Sequence, residues 1–269
     1  MFKRTRFDYR GKFALVTGAS KGLGKAYAEE LAARGSNLVL VARTESALQS
    51  LAESLRRERA VRVEVVAADL SDLDAPGIIV DELKRLGIDV DLLVNNAAVG
   101  YSGRFFSRPI QEELIPITVN VNSLVALTHL FGRKMVERGI GGIINISSDG
   151  AFQPVPYNAT YAATKSFILM FSEAVAEEMK GSGVRVMVAI PGATATEFFD
   201  QSPTTMKLEK MDTPESVARN TLNDFGSGKV VSYPGRLRIR ATTWVSRILP
   251  RGLTAKIAAR VSRDMGFDR

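Results

Sequence analysis

The sequence predicts an α/β protein built on a doubly wound parallel sheet of about seven strands, with helices on both faces. Three observations predict it. Apolar runs of strand length alternate with amphipathic segments from Lys12 to Val231. The strands are continuously apolar rather than alternating, as expected of strands covered on both faces. A glycine cluster, Thr17-Gly18-Ala19-Ser20-Lys21-Gly22-Leu23-Gly24, joins the first strand to the first helix, where such a sheet binds a dinucleotide.

In order, Phe13 to Thr17 is the first strand and Leu23 to Arg34 the first helix. Asn37 to Val41 is a strand and Ala47 to Glu58 a helix. Val61 to Ala67 is the third strand, with a helix near Asp72 to Leu86. Asp91 to Val94 is the fourth strand. Glu112 to Arg138 reads as a long helix in which Pro116 opens a second segment or makes a kink. Gly142 to Ser147 is the fifth strand, Tyr161 to Lys180 a helix, and Val184 to Ile190 the sixth strand. Thr213 caps a helix running to Asp224, with Pro214 at its first position. Val230 to Tyr233 is a short last strand.

The length of 269 residues and the 45% apolar content suit one large domain. The absence of cysteine excludes a disulfide scaffold, a thiolate metal site and a cysteine nucleophile. The basic start Met1-Phe2-Lys3-Arg4-Thr5-Arg6 is not followed by an apolar run, so it does not read as a secretory signal, and a cytoplasmic location is the expectation. No linker or repeat divides the chain. Residues 1–235 form the expected dinucleotide-binding domain and 236–269 a basic extension.

That extension holds the charge. Arg236, Arg238, Arg240, Arg247, Arg251, Lys256, Arg260 and Arg263 fall in one window without Asp or Glu. The chain's +7 therefore leaves −1 elsewhere, and a nucleic-acid-binding body is not indicated. Leu253, Ile257 and Val261 form a helical stripe with Lys256, Arg260 and Arg263 off it. Trp244, Ile248 and Leu249 precede Pro250. Such a segment packs on the body or on a second subunit, or lies peripherally on an anionic membrane.

Tyr161 and Lys165, four apart, share a helix face. An ammonium beside a phenol favours phenolate, so the spacing predicts a tyrosine lowered toward working pH and acting as a general acid or base. Ser148, at the end of the fifth strand, offers a hydroxyl to the same substrate oxygen. Where a carboxylate would meet the ribose of NAD, the second strand ends in Ala42-Arg43. Arg43, with Lys21 in the glycine loop, suits a 2′-phosphate and hence NADPH.

These pieces, with Asp69-Leu70, Asn95-Asn96-Ala97-Ala98, Asn120 and Pro191-Gly192, resemble in order and spacing the classical short-chain dehydrogenase/reductase family over roughly Lys12 to Tyr233. Its sheet is Rossmann-type. The resemblance implies that Tyr161 is the general acid/base, Lys165 its partner and nicotinamide-ribose ligand, and Ser148 the group that positions the substrate oxygen. Ser147 competes with Ser148, but the family spacing picks Ser148. Asn120 would keep a proton-relay water. Gly18, Ser20, Lys21, Gly22, Leu23 and Gly24 would cradle the pyrophosphate. Asp69 and Leu70 would meet the adenine, and Asn96, Ala97 and Ala98 would line the central strand end. Pro191, Gly192, Thr194 and Thr196 would hold the nicotinamide. Ala98 replaces the family glycine, which is tolerable at negative φ. Pro156-Tyr157-Asn158-Ala159-Thr160 before Tyr161 looks like bacterial ketoacyl and carbonyl reductases.

Phe198, Phe199, Met206, Leu208 and Met211, with Phe105, Phe106, Phe152, Val155 and Tyr157, predict an apolar mouth for a lipophilic ketone or 3-oxoacyl group. The expected function is NADPH-dependent carbonyl reduction by a homo-oligomer. The alternatives are alcohol oxidation by the same site, a dinucleotide-sensing regulator, and an epimerase or dehydratase of the related extended family. The one histidine, His129, reads as packing or surface, and no metal-ligand cluster is present. The sequons Asn145-Ile146-Ser147 and Asn158-Ala159-Thr160 read as accidental.

Overall fold

A computed structural model describes residues 6–198, 211–235 and 248–268, with Arg240, Thr243 and Trp244. Phe199, Met206, Leu208, Arg236, Arg238 and Arg247 lie outside the described residues. The strands are β1 (Phe13–Thr17), β2 (Asn37–Ala42), β3 (Val63–Ala67), β4 (Leu92–Asn95), β5 (Gly141–Ile146), β6 (Val184–Ala189) and β7 (Val231–Ser232). The helices are α1 (Gly22–Ala33), α2 (Glu45–Arg59), α3 (Ala75–Arg85), α4 (Ile110–Ile117), α5 (Ser123–Arg138), α6 (Ala159–Glu178), α7 (Pro214–Gly226) and α8 (Arg251–Asp264).

All strand pairs are parallel, in the order β3-β2-β1-β4-β5-β6-β7. The winding reverses between β1 and β4, which opens a crevice at their carboxyl ends. Register shows why the strands had to be apolar throughout. Leu15 stands opposite Val39 and Leu93, and all three join one core with Ile79, Leu127 and Phe131. Their neighbours Val16, Leu40 and Val94 point into the other core with Tyr27, Leu48 and Phe225. Alternate residues serve opposite faces, and in the central strands β1 and β4 neither face meets water beyond the half-buried Phe13. Tyr27 Oη donates to Thr221 Oγ1 at 2.9 Å and Tyr9 Oη to the Leu222 carbonyl at 2.6 Å, so the buried phenols tie the outer helices together without orphaned hydroxyls.

Most boundaries move by one or two residues from expectation, and three differences have a visible cause. β3 begins at Val63; the Arg62 carbonyl still accepts from Leu38 N at 2.8 Å, but the Arg62 N–H turns to Asn37 Oδ1 at 3.0 Å. Asp72 to Asp74 form a turn before α3. The long helix is split. Pro116 has no N–H for the helix ladder, and a π-helical turn, Thr118–Asn122, follows before α5. Among the described residues, this run, 110–138, is long and apolar enough to cross a membrane, but its α5 segment packs into the sheet's core through Leu127 and Phe131.

Candidate active site

The dinucleotide end is built from backbone. Thr17 Oγ1 accepts from Asn96 N and Ala97 N, both at 3.0 Å, and Asn96 Nδ2 donates to the Thr17 carbonyl at 2.9 Å. These bonds lock the ends of β1 and β4 side by side. Gly18 and Gly22 have φ of +66° and +54°, which only glycine adopts freely. A Cβ at Gly24 would stand 2.0 Å from the Gly18 carbonyl oxygen and 2.6 Å from Asn96 Nδ2. The loop is therefore a side-chain-free cradle at the amino end of α1, and it fits a pyrophosphate. Ala98 is not among the described positive-φ residues, so its methyl is accommodated.

Every expected cofactor and catalytic residue except Asn120 lines one cleft of about 1110 Å³. Arg43 and Lys21 are exposed on its wall. Burial works against the Asp69 carboxylate, but Ser71, through its N–H at 2.9 Å and hydroxyl at 2.8 Å, and the Arg43 charge hold it below the usual range. Thr196 packs on Gly22, where an added Cβ would come within 3.1 Å, so the segment after β6 folds back over the glycine loop.

At the other end, Tyr161 and Lys165 sit on adjoining turns of α6. Lys165 is buried, its Nζ 5.5 Å from the Tyr161 ring centroid and donating to the Ile146 carbonyl at 2.9 Å. Ser148 Oγ accepts from Gly150 N at 3.2 Å and donates to Asp149 Oδ1 at 3.1 Å. Ser147 points the other way: its hydroxyl donates to the Lys165 carbonyl at 2.7 Å, a structural bond. Asn120 stands behind the cleft in the π turn. Its Nδ2 donates to the Val99 carbonyl at 2.9 Å and to Thr164 Oγ1 at 3.0 Å, and its Oδ1 accepts from Val99 N at 2.9 Å. It joins the segment that follows β4 to α6, next to the turn that carries Tyr161.

The protonation pattern corrects one expectation. The Tyr161 phenol is pushed up, not down: burial raises it, the Asp149 charge raises it further, and only the Ser148 hydrogen bond opposes. Burial lowers Lys165 to about 7, so it carries only a partial charge near neutrality and is spent on a carbonyl. Asp149 is itself raised, by burial first, against bonds from Ser148 and Gly150, with Asp212 adding repulsion.

The substrate end also departs from expectation. Val155 and Phe198 line the cleft; the Phe198 ring lies 5.3 Å from that of Tyr161. Phe106 is 97% exposed and stacks edge-on with Phe105, Phe152 stacks on Tyr233, and Met211 is buried elsewhere. The apolar wall comes instead from the extension: Leu249, Ile257, Ala258, Val261, Met265 and Phe267 line the cleft. The residues of α8 that are buried are Thr254, Ala258 and Ser262, not the stripe Leu253, Ile257 and Val261. The small row at four-residue spacing was the legible sign of close approach. Asp149 and Gly100 went unnoticed in the sequence. A Cβ on Gly100 would sit 2.6 Å from Tyr161 Cδ2, so that glycine makes room for the tyrosine ring. His129 is exposed on α5, and among the described residues no cluster could hold a metal.

Residues 12–207 match the family model described as short chain dehydrogenase. A very-long-chain 3-oxoacyl-CoA reductase of Bos taurus is 34% identical over 92% of this chain and 78% of its own. A short-chain dehydrogenase from Sphingobium yanoikuyae in complex with NADPH superposes with a TM-score of 0.79, at 31% identity over 88% of this chain and 93% of that one. A 7beta-hydroxysteroid dehydrogenase superposes at 0.83, with 28% identity over 96% and 99%. The cradle, the cleft and these likenesses agree that the chain belongs to the short chain dehydrogenase family and is a nicotinamide-dependent oxidoreductase that reduces a carbonyl to an alcohol.

Proposed function

We propose that the protein uses NADPH to reduce a lipophilic ketone, of which a long-chain 3-oxoacyl thioester is the best fit. The observation that carries this reading is the meeting, in one cleft, of Tyr161, Ser148 and Lys165 with an apolar wall from the extension. The dinucleotide, when bound, supplies the hydride. Tyr161, kept protonated by burial, gives its proton to the carbonyl oxygen, and Ser148 orients that oxygen. The phenolate so formed raises the demand for charge on Lys165, whose value near 7 lets it take up and return a proton at working pH. Asn120 holds Val99 and Thr164 in place for this exchange and is read as the anchor of the relay water.

NADPH is favoured over NADH because Arg43 and Lys21 flank the expected 2′-phosphate position and Ala42 presents no carboxylate to a free ribose. The 3-oxoacyl assignment draws on the bovine relative and on the breadth of the cleft. Association into a homo-oligomer is supported by α4 and α6. They contact each other, and between them Ile110, Leu114, Phe167 and Met170 face solvent. A regulator that only senses the dinucleotide would not need the acid, its serine and its lysine.

The test is NADPH oxidation by the purified protein against 3-oxoacyl-CoA thioesters of increasing chain length, with a sugar ketone as the polar control. Turnover should rise with chain length and be absent on the sugar. Consumption of the sugar alone would overturn the substrate reading, and no oxidation with any carbonyl would favour the sensor.

A further inference from the structure

We propose that the outer edge of α8 docks on an anionic phospholipid surface, so that the cleft mouth opens at the membrane. The helix is inverted for a protein surrounded by water. It buries Thr254, Ala258 and Ser262, while Leu253, Ile257 and Val261 are 47%, 47% and 50% exposed. Surface helices ordinarily do the reverse. Ile257 and Val261 also line the cleft, so the apolar lining runs over the lip and onto the outer surface. Ile248, just before the helix, is 79% exposed. Isolated exposed apolar residues are common, but a helical stripe continuous with a ligand cleft marks a contact surface.

Charge selects the occupant. Arg251, Lys256, Arg260 and Arg263 are all exposed on α8, against one acid, Asp264, at its end. An apolar stripe edged by cations matches a lipid surface with anionic headgroups. A second copy would bring the same cations face to face, which like-charge repulsion opposes. Arg263 also donates to Tyr157 Oη at 3.4 Å, and the Tyr157 carbonyl accepts from Gly103 N at 2.8 Å, so the end of α8 is tied to the loop that carries the exposed Phe106. A docked helix would thus stand on the rigid body at the cleft, where a substrate dissolved in lipid can enter without crossing water.

The experiment is co-sedimentation of the full chain with phosphatidylcholine vesicles, with and without phosphatidylglycerol, at low and high salt. Binding should require phosphatidylglycerol and be released by salt. Lys256→Glu with Arg260→Glu, and separately Leu253→Glu, lie outside the cleft lining. They should lower the bound fraction by roughly tenfold or more while keeping turnover of a short, water-soluble ketone. No binding of the unaltered chain to anionic vesicles at low salt would overturn the proposal, as would binding that both variants retain. A dimer in light scattering that Leu253→Glu dissociates would assign the face to a second copy instead. Vesicle binding is read without turnover, so its failure is distinct from failure of the substrate reading.

Discussion

The two ends of the cleft are built by different means. At the dinucleotide end, glycines, backbone groups and the Thr17–Asn96 clamp make the surface, all drawn from the first half of the chain. At the substrate end, the buried Lys165 and the half-buried Tyr161 and Asp149 have shifted protonation, and a helix from the far end of the chain supplies the wall. The first end is built largely from backbone groups, with the charged side chains of Lys21, Arg43 and Asp69 along its wall. The second works through groups whose charge depends on pH and on packing. Damage at one end should therefore appear in affinity for the dinucleotide, and at the other in turnover and pH dependence.

The largest expected effect separates the two ends most cleanly. Tyr161→Phe should cut turnover on the order of a hundredfold or more, the scale of a lost general acid, with dinucleotide affinity unchanged. Near-normal turnover would remove Tyr161 from the acid role. The converse test is Gly24→Ala, whose new Cβ meets backbone at 2.0 Å. A strain of about 3 kcal/mol would weaken dinucleotide binding roughly a hundredfold. Unchanged affinity by fluorescence titration would show that the cradle yields. Arg43→Ala should weaken NADPH by roughly 1.5–3 kcal/mol and leave NADH alone, because only the 2′-phosphate is affected. Equal losses for both cofactors would sink the phosphate assignment.

An effect on stability rather than on binding tests the titrating end. Lys165 falls from 10.5 to about 7 on folding. Between those values the unfolded chain holds more protons than the folded one, so stability rises with pH. One proton contributes at most about 1.4 kcal/mol per pH unit. The rise ends near pH 10, where the unfolded chain loses phenol protons that Tyr9, Tyr27 and Tyr161 retain. The urea midpoint of the dinucleotide-free protein should climb over that window, and Lys165→Met should flatten it. An unaltered slope in the variant would place the titration elsewhere. Smallest of all, Ala258→Leu narrows the cleft from α8. It should reduce kcat/KM for long-chain substrates by about 1 kcal/mol, roughly fivefold, and spare short ones. An equal loss for both would mean that α8 does not contact the chain.

What was legible in the sequence follows the same division. The seven strands and the glycine loop could be read because each depends on local period, and the meeting of Ser148, Tyr161 and Lys165 in one cleft follows the spacing of the family the chain resembles. The π turn at Thr118–Asn122 could not, since its register depends on what Asn120 bonds across the chain. The direction of the Tyr161 shift does not follow from its spacing to Lys165, because adjacency on α6 says nothing of burial, and burial is what raises the phenol. The stripe Leu253, Ile257 and Val261 invites packing on the body, but the helix buries the small row Thr254, Ala258 and Ser262 beside it. The Phe105, Phe106 and Phe152 positions were in loops of the right edge, yet where a loop side chain points is settled only by its tertiary partners.

The wall supplied by residues 249–267 also sets an order of events at the ribosome. The glycine cradle, the β1–β4 clamp and Tyr161 with Lys165 all precede residue 199 in the chain. At ordinary synthesis rates the α8 wall emerges several seconds after them. Once α7 has packed on α1, a nascent chain would hold a complete cradle for its dinucleotide while the substrate side is still open to water. Ligand capture of that kind stabilises the unfinished domain by mass action. The dinucleotide would then act as a folding aid before it acts in turnover, and only the completed chain would exclude water from the carbonyl.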